Sequence, residues 1–391
     1  MPINVFVPKF RTDEILEEIK ECLEKGWTGL GFKTVEFENH WKQYTGMPNA
    51  HFLSSNTAGL HLALNIFKEQ NKWADGDEVI STPLTFISTN HAIVYERLTP
   101  VFADVDEYLC LDPKSVLKAI TPKTRALIFV GIGGNSGQYE EIVKICKEHN
   151  IKLILDAAHM AGTKLNGKHI GSDADVVVYS FQAVKNLPSA DSGMICFADQ
   201  QLDNLARKKS WLGISKDTYQ RFNKNEGSYK WKYDVESIGF KYHGNSIMAS
   251  MGLVQLKYLD EDNTYRRKLA SLYDKKLENI KNIQIIKVAP NCESSRHLYQ
   301  ICVPNRDEVM QFFYDNGIYP GVHYIDNTEY TVYNYAYGKC PNASLKSKML
   351  LSLPLHLNLT ENDLNLIVST LEKALKNCVK PNESLISDFS K

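Results

Sequence analysis

The sequence predicts an α/β fold, a large domain with a mostly parallel seven-stranded sheet covered by helices, followed by a smaller C-terminal α+β domain. Three observations carry this expectation. Seven strand-sized apolar runs alternate with helical stretches between His51 and Phe197. Most of those runs are continuously apolar, as in strands buried on both faces. Beyond about Asn282 the pattern changes to short strands and helices, and 391 residues are long for one compact unit. The division is placed at 1–250, N-terminal segment included, and 251–391.

The elements follow in order. Ile15, Leu16, Ile19 and Leu23 give Glu14 to Lys25 a helical spacing, and Gly26 stops it. Val35 to Tyr44 reads the same way. His51-Phe-Leu-Ser is a short strand, after which Asn56-Thr57-Ala58 opens a helix through Leu64. Glu78-Val-Ile-Ser, Val101-Phe-Ala, Ala126-Leu-Ile-Phe-Val and Lys152-Leu-Ile-Leu are further strands, with a helix over Ile142 to His149. Asp175-Val-Val-Val-Tyr-Ser and Gly193-Met-Ile-Cys-Phe complete the seven. Trp211 to Ser237 is polar, aromatic-rich and aperiodic, and a loop of that length in a compact domain is functional or disordered. A long helix then carries Met251, Val254, Leu256 and Leu259, and Leu364 to Leu375 forms the last one.

Bulk properties exclude several classes. Lys+Arg of 45 against Asp+Glu of 46 leave a net charge of −1, so no electrostatic case exists for nucleic acid or an anionic membrane. The runs Arg207-Lys-Lys209 and Lys230-Trp-Lys232 read as solvated faces. Eight cysteines lie scattered without a CxxC or a close Cys/His cluster, which argues against zinc and a disulfide framework. Met1 to Arg11 has no signal-peptide pattern, and no apolar run approaches the ~20 residues of a membrane helix. A soluble, cytoplasmic protein is expected.

Two residues point to chemistry. Asp156 ends one apolar run, and Lys185 stands five residues after Ser180, where the next one ends. Pyridoxal 5′-phosphate (PLP) needs a lysine amine for its Schiff base. It also needs a carboxylate that keeps the pyridine nitrogen protonated, so that the ring acts as an electron sink. On the pair alone, a solvated lysine and a helix-capping aspartate account for the residues equally well.

The surrounding blocks separate those readings. They are Ser55-Asn-Thr-Ala-Gly-Leu-His-Leu-Ala-Leu64, Thr82-Pro-Leu-Thr-Phe-Ile-Ser-Thr-Asn90, Asp156-Ala-Ala-His-Met-Ala-Gly162 and Ser180-Phe-Gln-Ala-Val-Lys-Asn186. With them go Gly239-Phe-Lys-Tyr-His-Gly-Asn-Ser-Ile-Met-Ala-Ser250, Val322-His-Tyr324 and Leu351-Ser-Leu-Pro-Leu-His356. In this order the chain resembles the DegT/DnrJ/EryC1/StrS family of nucleotide-sugar aminotransferases, the sugar branch of fold-type I PLP enzymes. The resemblance runs from about Val7 to about Leu375.

That resemblance implies roles. Lys185 is the Schiff-base lysine and proton carrier, and Asp156 faces the pyridine nitrogen. His159 lies near the ring hydroxyl, although a merely packed histidine is its rival. Asn56, Thr57 and Ala58 offer a helix N-terminus to the phosphate, with Ser180 adding a hydroxyl; plain capping is the alternative. Phe86 covers the pyridine face, where an ordinary core phenylalanine would look the same. Lys241 replaces an asparagine that reaches the phosphate across a dimer interface, and His243 replaces an arginine, without that residue's bidentate fork. Both also suit a structural loop. Trp27 and Thr28 match a sugar-lining loop, with Trp27 equally suited to packing, and His323 and Tyr324 face the same pocket. The stretch Ile325-Asp-Asn-Thr-Glu-Tyr330 departs from the family's proline-containing continuation.

The implied reaction is transamination of a nucleotide-diphosphate-linked keto-deoxy sugar, a 4-keto-6-deoxyhexose becoming a 4-amino-4,6-dideoxyhexose. L-Glutamate is the donor, 2-oxoglutarate its product, and pyridoxamine 5′-phosphate the carrier between half-reactions in a homodimer with shared sites. A PLP-dependent sugar dehydratase of the same fold is one rival, but such relatives put histidine where this chain has Lys185. A non-catalytic protein that kept the fold is another, opposed by the joint presence of Asp156, Ser180 and Lys185. No GxGxxG follows the first strand, which leaves little for a nicotinamide enzyme.

Overall fold

The computed structural model describes residues 2–215 and 233–378, so the middle of the aperiodic segment lies outside the described residues. The seven apolar runs form one sheet. Across it the strands are His51–Leu53, Gly193–Phe197, Val176–Ser180, Lys152–Asp156, Thr124–Val130, Glu78–Ser81 and Thr99–Phe102. Gly193–Phe197 runs antiparallel to both its neighbours, and the other pairings are parallel.

The uninterrupted apolar runs now have a physical reason. Leu127, Phe129, Leu153, Leu155, Val177 and Tyr179 point into one core. Their neighbours Ala126, Ile128, Ile154, Val176 and Val178 point into another. Successive side chains face opposite ways along a strand, so a sheet covered on both faces needs both sets apolar. Phe37 and Trp41 from helix Phe32–Thr45 fill the first core. Leu60, Leu62, Ala63 and Leu64 of helix Asn56–Asn71 and Ala206 of helix Gln200–Ser210 fill the second. Each such fully buried large side chain contributes roughly 1.5–3 kcal/mol relative to exposure.

Helix Ser246–Leu277 starts against the first core and ends in a third, where Leu269, Tyr273 and Leu277 pack. Residue 250 falls within this helix. The third core also holds the antiparallel sheet of Gln284–Ile285, Tyr299–Cys302 and Leu350–Leu353, with helices Arg306–Asp315 and Glu361–Cys378. Strand Ile3–Asn4 pairs in parallel with Ile318–Tyr319. No helix among the described residues is long and apolar enough to cross a membrane.

A buried ionic network fixes the sheet edge that leads into the site. Glu38 accepts from the Phe52 N–H at 2.8 Å, His51 Nδ1 at 3.0 Å and Arg207 Nη1 at 2.8 Å. His51 Nε2 lies 2.7 Å from Ser210 Oγ, which is also 3.0 Å from the Arg207 carbonyl. Burial alone would raise the Glu38 pKa, but Arg207 and His51 outweigh it and bring the value down to about 2. A carboxyl depressed on folding contributes stability above its ordinary pKa of 4.5, and that stability is lost as pH falls towards 2. Urea unfolding of the native protein should therefore lose on the order of 3 kcal/mol through this group across that window. Glu38→Gln should already be weakened at neutral pH and show a flatter acid limb; equal acid slopes in the two proteins would contradict the assignment.

Candidate active site

The parallel strands deliver their carboxyl ends to one edge of the sheet, where ligands of open α/β folds bind. Asp156 and Ser180 are the last residues of their strands. Leu53 ends the edge strand, and two residues on, Ser55 caps the helix that starts at Asn56. The fit is close: a Cβ on Gly193 would lie 2.6 Å from the Asn56 nitrogen, and one on Gly59 would lie 2.4 Å from Val178. Both glycines let the helix start press against the strand ends.

A cavity of about 410 Å³ opens at this edge. Of the residues singled out in the sequence, Asn56, Thr57, Phe86, Asp156, His159, Ser180, Lys185, His323 and Tyr324 line it. Ala58 does not, and its N–H is already bound to Ser55 Oγ at 3.0 Å. Trp27, Thr28, Lys241 and His243 lie outside the cavity wall of their own chain. The Thr28 carbonyl accepts from the Ser246 N–H at 3.2 Å, at the start of the long helix. Lys241 holds its ammonium 3.2 Å from the Trp211 ring centroid. His243 Nδ1 donates to the Gly244 carbonyl at 2.6 Å, and burial pushes its pKa down to about 4, so it carries no charge near neutrality.

Asp156 is buried and well supplied with donors. Oδ1 accepts from Asn56 Nδ2 at 3.2 Å and the Ala158 N–H at 3.2 Å, and Oδ2 accepts from Thr89 Oγ1 at 2.8 Å. Thr89 must then receive its own hydrogen bond from Thr85 Oγ1, 3.0 Å away. Burial still raises the Asp156 pKa despite those bonds and the field of Lys185. Lys185 is partly buried in the cavity wall, and desolvation lowers its pKa to about 8 against the pull of Asp156. An amine in that state is available as free base at mildly alkaline pH.

Three histidines surround the amine, all neutral because burial lowers each pKa, with Lys185 adding to the effect. Gly133, at φ +62°, donates its N–H to His159 Nδ1 at 3.1 Å and accepts the His297 N–H at 3.1 Å. With Nδ1 accepting, the His159 proton sits on Nε2 and points to Tyr324 Oη at 3.2 Å. The donor expected for a cofactor ring hydroxyl is thus engaged by a tyrosine in this structure. His323 Nδ1 lies 2.9 Å from Ser352 Oγ.

Sequence reasoning missed Thr85, Thr89, Gln182 and His297, all in the cavity wall. Thr85 precedes helix Ile87–Tyr95 and Thr89 lies in its first turn, and no local pattern ties either to Asp156. His297 had no motif around it.

The donor set fits PLP. A buried carboxylate of raised proton affinity gains most from a cationic partner, which a protonated pyridine nitrogen supplies. Asn56 and Thr57 open their helix, where backbone N–H groups lack partners within the helix and suit a phosphate.

Residues 10–372 match the DegT/DnrJ/EryC1/StrS aminotransferase family. The spore coat polysaccharide biosynthesis protein SpsC of Bacillus subtilis is 34% identical over 375 residues, 93% of this chain and 95% of that protein. The dTDP-4-dehydro-2,3,6-trideoxy-D-glucose 4-aminotransferase of Saccharopolyspora spinosa is 30% identical over 391 residues, covering 98% and 99%. Among solved structures, Spr1654 of Streptococcus pneumoniae in its PLP form superposes with a TM-score of 0.88 at 26% identity, covering 97% of this chain and 100% of that one. Its PMP form gives 0.87 at 27% identity, covering 95% and 99%. With nearly its whole length matched, the chain belongs to the DegT/DnrJ/EryC1/StrS aminotransferase family and is a PLP-dependent sugar aminotransferase.

Proposed function

We propose that the protein moves the amino group of L-glutamate onto the keto carbon of a nucleotide-diphosphate-linked deoxy sugar, releasing 2-oxoglutarate. A 4-keto-6-deoxyhexose is the preferred acceptor. The observation that carries this reading is the meeting, in one cavity, of the Lys185 amine, the buried Asp156 carboxylate and the start of the Asn56–Asn71 helix. The Saccharopolyspora relative, a 4-aminotransferase of a dTDP-linked dehydro sugar, supports the choice of acceptor.

When bound, PLP supplies an electron sink for the pair released as a proton leaves the donor Cα. The protein's own groups do the rest. Asp156 keeps a proton on the ring nitrogen, while Thr89 and Asn56 hold the carboxylate in place. Lys185, poised near pH 8, takes the Cα proton as a free base and returns it as an ammonium. The Asn56 and Thr57 N–H groups and the Ser180 hydroxyl hold the phosphate, and Phe86 stands at the cavity wall with 58% of its surface exposed, open to a ligand face. His323 and Tyr324 serve the sugar side.

The functional unit of this reading is a homodimer, in which Trp27, Thr28, Lys241 and His243 act on the partner's cavity. Leu212, Val235 and Ile238, on the same segment as Lys241, are exposed, Ile238 to 90%. A second copy covering them would remove an apolar patch from water.

Two outcomes are expected. Purified protein with PLP and L-glutamate should aminate at least one member of a panel of dTDP-, UDP- and GDP-linked keto sugars, read by mass spectrometry. Conversion of glutamate with no sugar accepted would remove the acceptor class. Mixing Lys185→Ala chains with Lys241→Ala chains should restore activity above either parent, because random pairing leaves about a quarter of the sites intact. No rescue, with chain exchange demonstrated, would place Lys241 outside a shared site.

A further inference from the structure

Lys185 sits in the turn between strands Val176–Ser180 and Gly193–Phe197, outside both. Its own N–H makes one short-range bond, to the Gln182 carbonyl at 2.8 Å. The anchoring falls to the next residue. Asn186 is buried, and its amide donates to Asn263 Oδ1 at 2.6 Å and to the Ser295 carbonyl at 2.7 Å. Its oxygen lies 2.9 Å from His297 Nδ1. An amide oxygen only accepts, so His297 Nδ1 carries the proton. Asn263 also donates to the Ala161 carbonyl at 2.9 Å, which joins the network to the loop that bears His159.

The His297 ring is held on its flat sides as well. Phe6 stacks on it at 5.2 Å and 12°, and His159 lies 4.3 Å away. Burial keeps the ring neutral, helped by His159, Lys185, Arg266 and His323. Its Nδ1–H is therefore a donor of fixed direction, aimed at the residue beside the reactive lysine.

We propose that His297 is a positioning residue for the Lys185 amine, acting through the side chain of Asn186. A donor from the stretch leading into strand Tyr299–Cys302 thereby fixes a turn of the large sheet that carries the amine. The inference gains its meaning from the reading of Lys185 as the PLP lysine, but it concerns the amine itself. Held in the cavity wall, the amine is desolvated, and its pKa stands at about 8. A turn released at Asn186 lets the side chain reach water, and the pKa returns towards its ordinary 10.5. The other titratable groups in the wall of the same cavity are Asp156, His159, Asp191, His297, His323 and Tyr324.

Trace acetylation with acetic anhydride, followed by peptide mapping, reads the titration of Lys185 in the full-length chain freed of PLP. The unaltered protein should show a midpoint near pH 8. In His297→Leu the midpoint should rise by about a unit or more, so that Lys185 labelling at pH 8 falls about fivefold. His297→Asn keeps an N–H donor near the position of Nδ1 and should restore most of the original midpoint. Asn186→Ala should reproduce the rise with His297 intact, and it carries the test if His297→Leu does not fold. An unchanged midpoint in the folded variants would overturn the proposal, and so would equal shifts in His297→Leu and His297→Asn. The measurement uses neither cofactor nor substrate, so its failure leaves the aminotransferase reading standing.

Discussion

A carboxylate kept out of water at the end of a central strand constrains everything around it. Asp156 has three hydrogen-bond donors and a nearby ammonium, and its proton affinity is still raised. Such a group is costly to the fold unless a cation arrives to share the site. The surrounding architecture can be understood as a way of holding that unmet demand in a fixed place. Strand Lys152–Asp156 has strand neighbours on both sides, helix Ile87–Tyr95 brings in Thr89, and helix Asn56–Asn71 contributes Asn56. Each of these elements is packed by apolar cores on the two sheet faces, and the polar cluster inherits their rigidity.

Lys185 shows the same logic with the opposite charge. Desolvation lowers its proton affinity, while Asp156 acts to raise it. Two groups of opposite sign in one cavity wall, each pushed towards neutrality by desolvation, form a site in which protons move at little cost. The neutral histidines complete this setting. They add no charge, and the Gly133 N–H and the Asn186 amide oxygen fix which nitrogen carries the proton in His159 and His297.

Much of this was legible in the chain before any coordinates. The seven strands stand out because a sheet covered on both faces needs apolar residues at every position, as in Val176 to Tyr179. Helix ends were less legible: the helix read through Leu64 continues to Asn71, since its last turns lose the quoted motif but keep Ile66 and Phe67 in the core. Asp156, Ser180 and Lys185 were visible because each lies at or just beyond a strand end. Thr89 and His297 were not, because their roles depend on contacts 67 and 111 residues away. No local pattern encodes such a contact. Trp27, Thr28, Lys241 and His243 came from resemblance alone, and within one chain they lie off the cavity.

The central claim is that one lysine, in this electrostatic setting, holds the cofactor. Borohydride reduction of the PLP-loaded protein, followed by peptide mapping, tests it directly. The account predicts a stable pyridoxyl label on Lys185, in the peptide that also contains Asn186. A label on any other lysine, or a Lys185→Ala protein that still takes up the label in full, would contradict it.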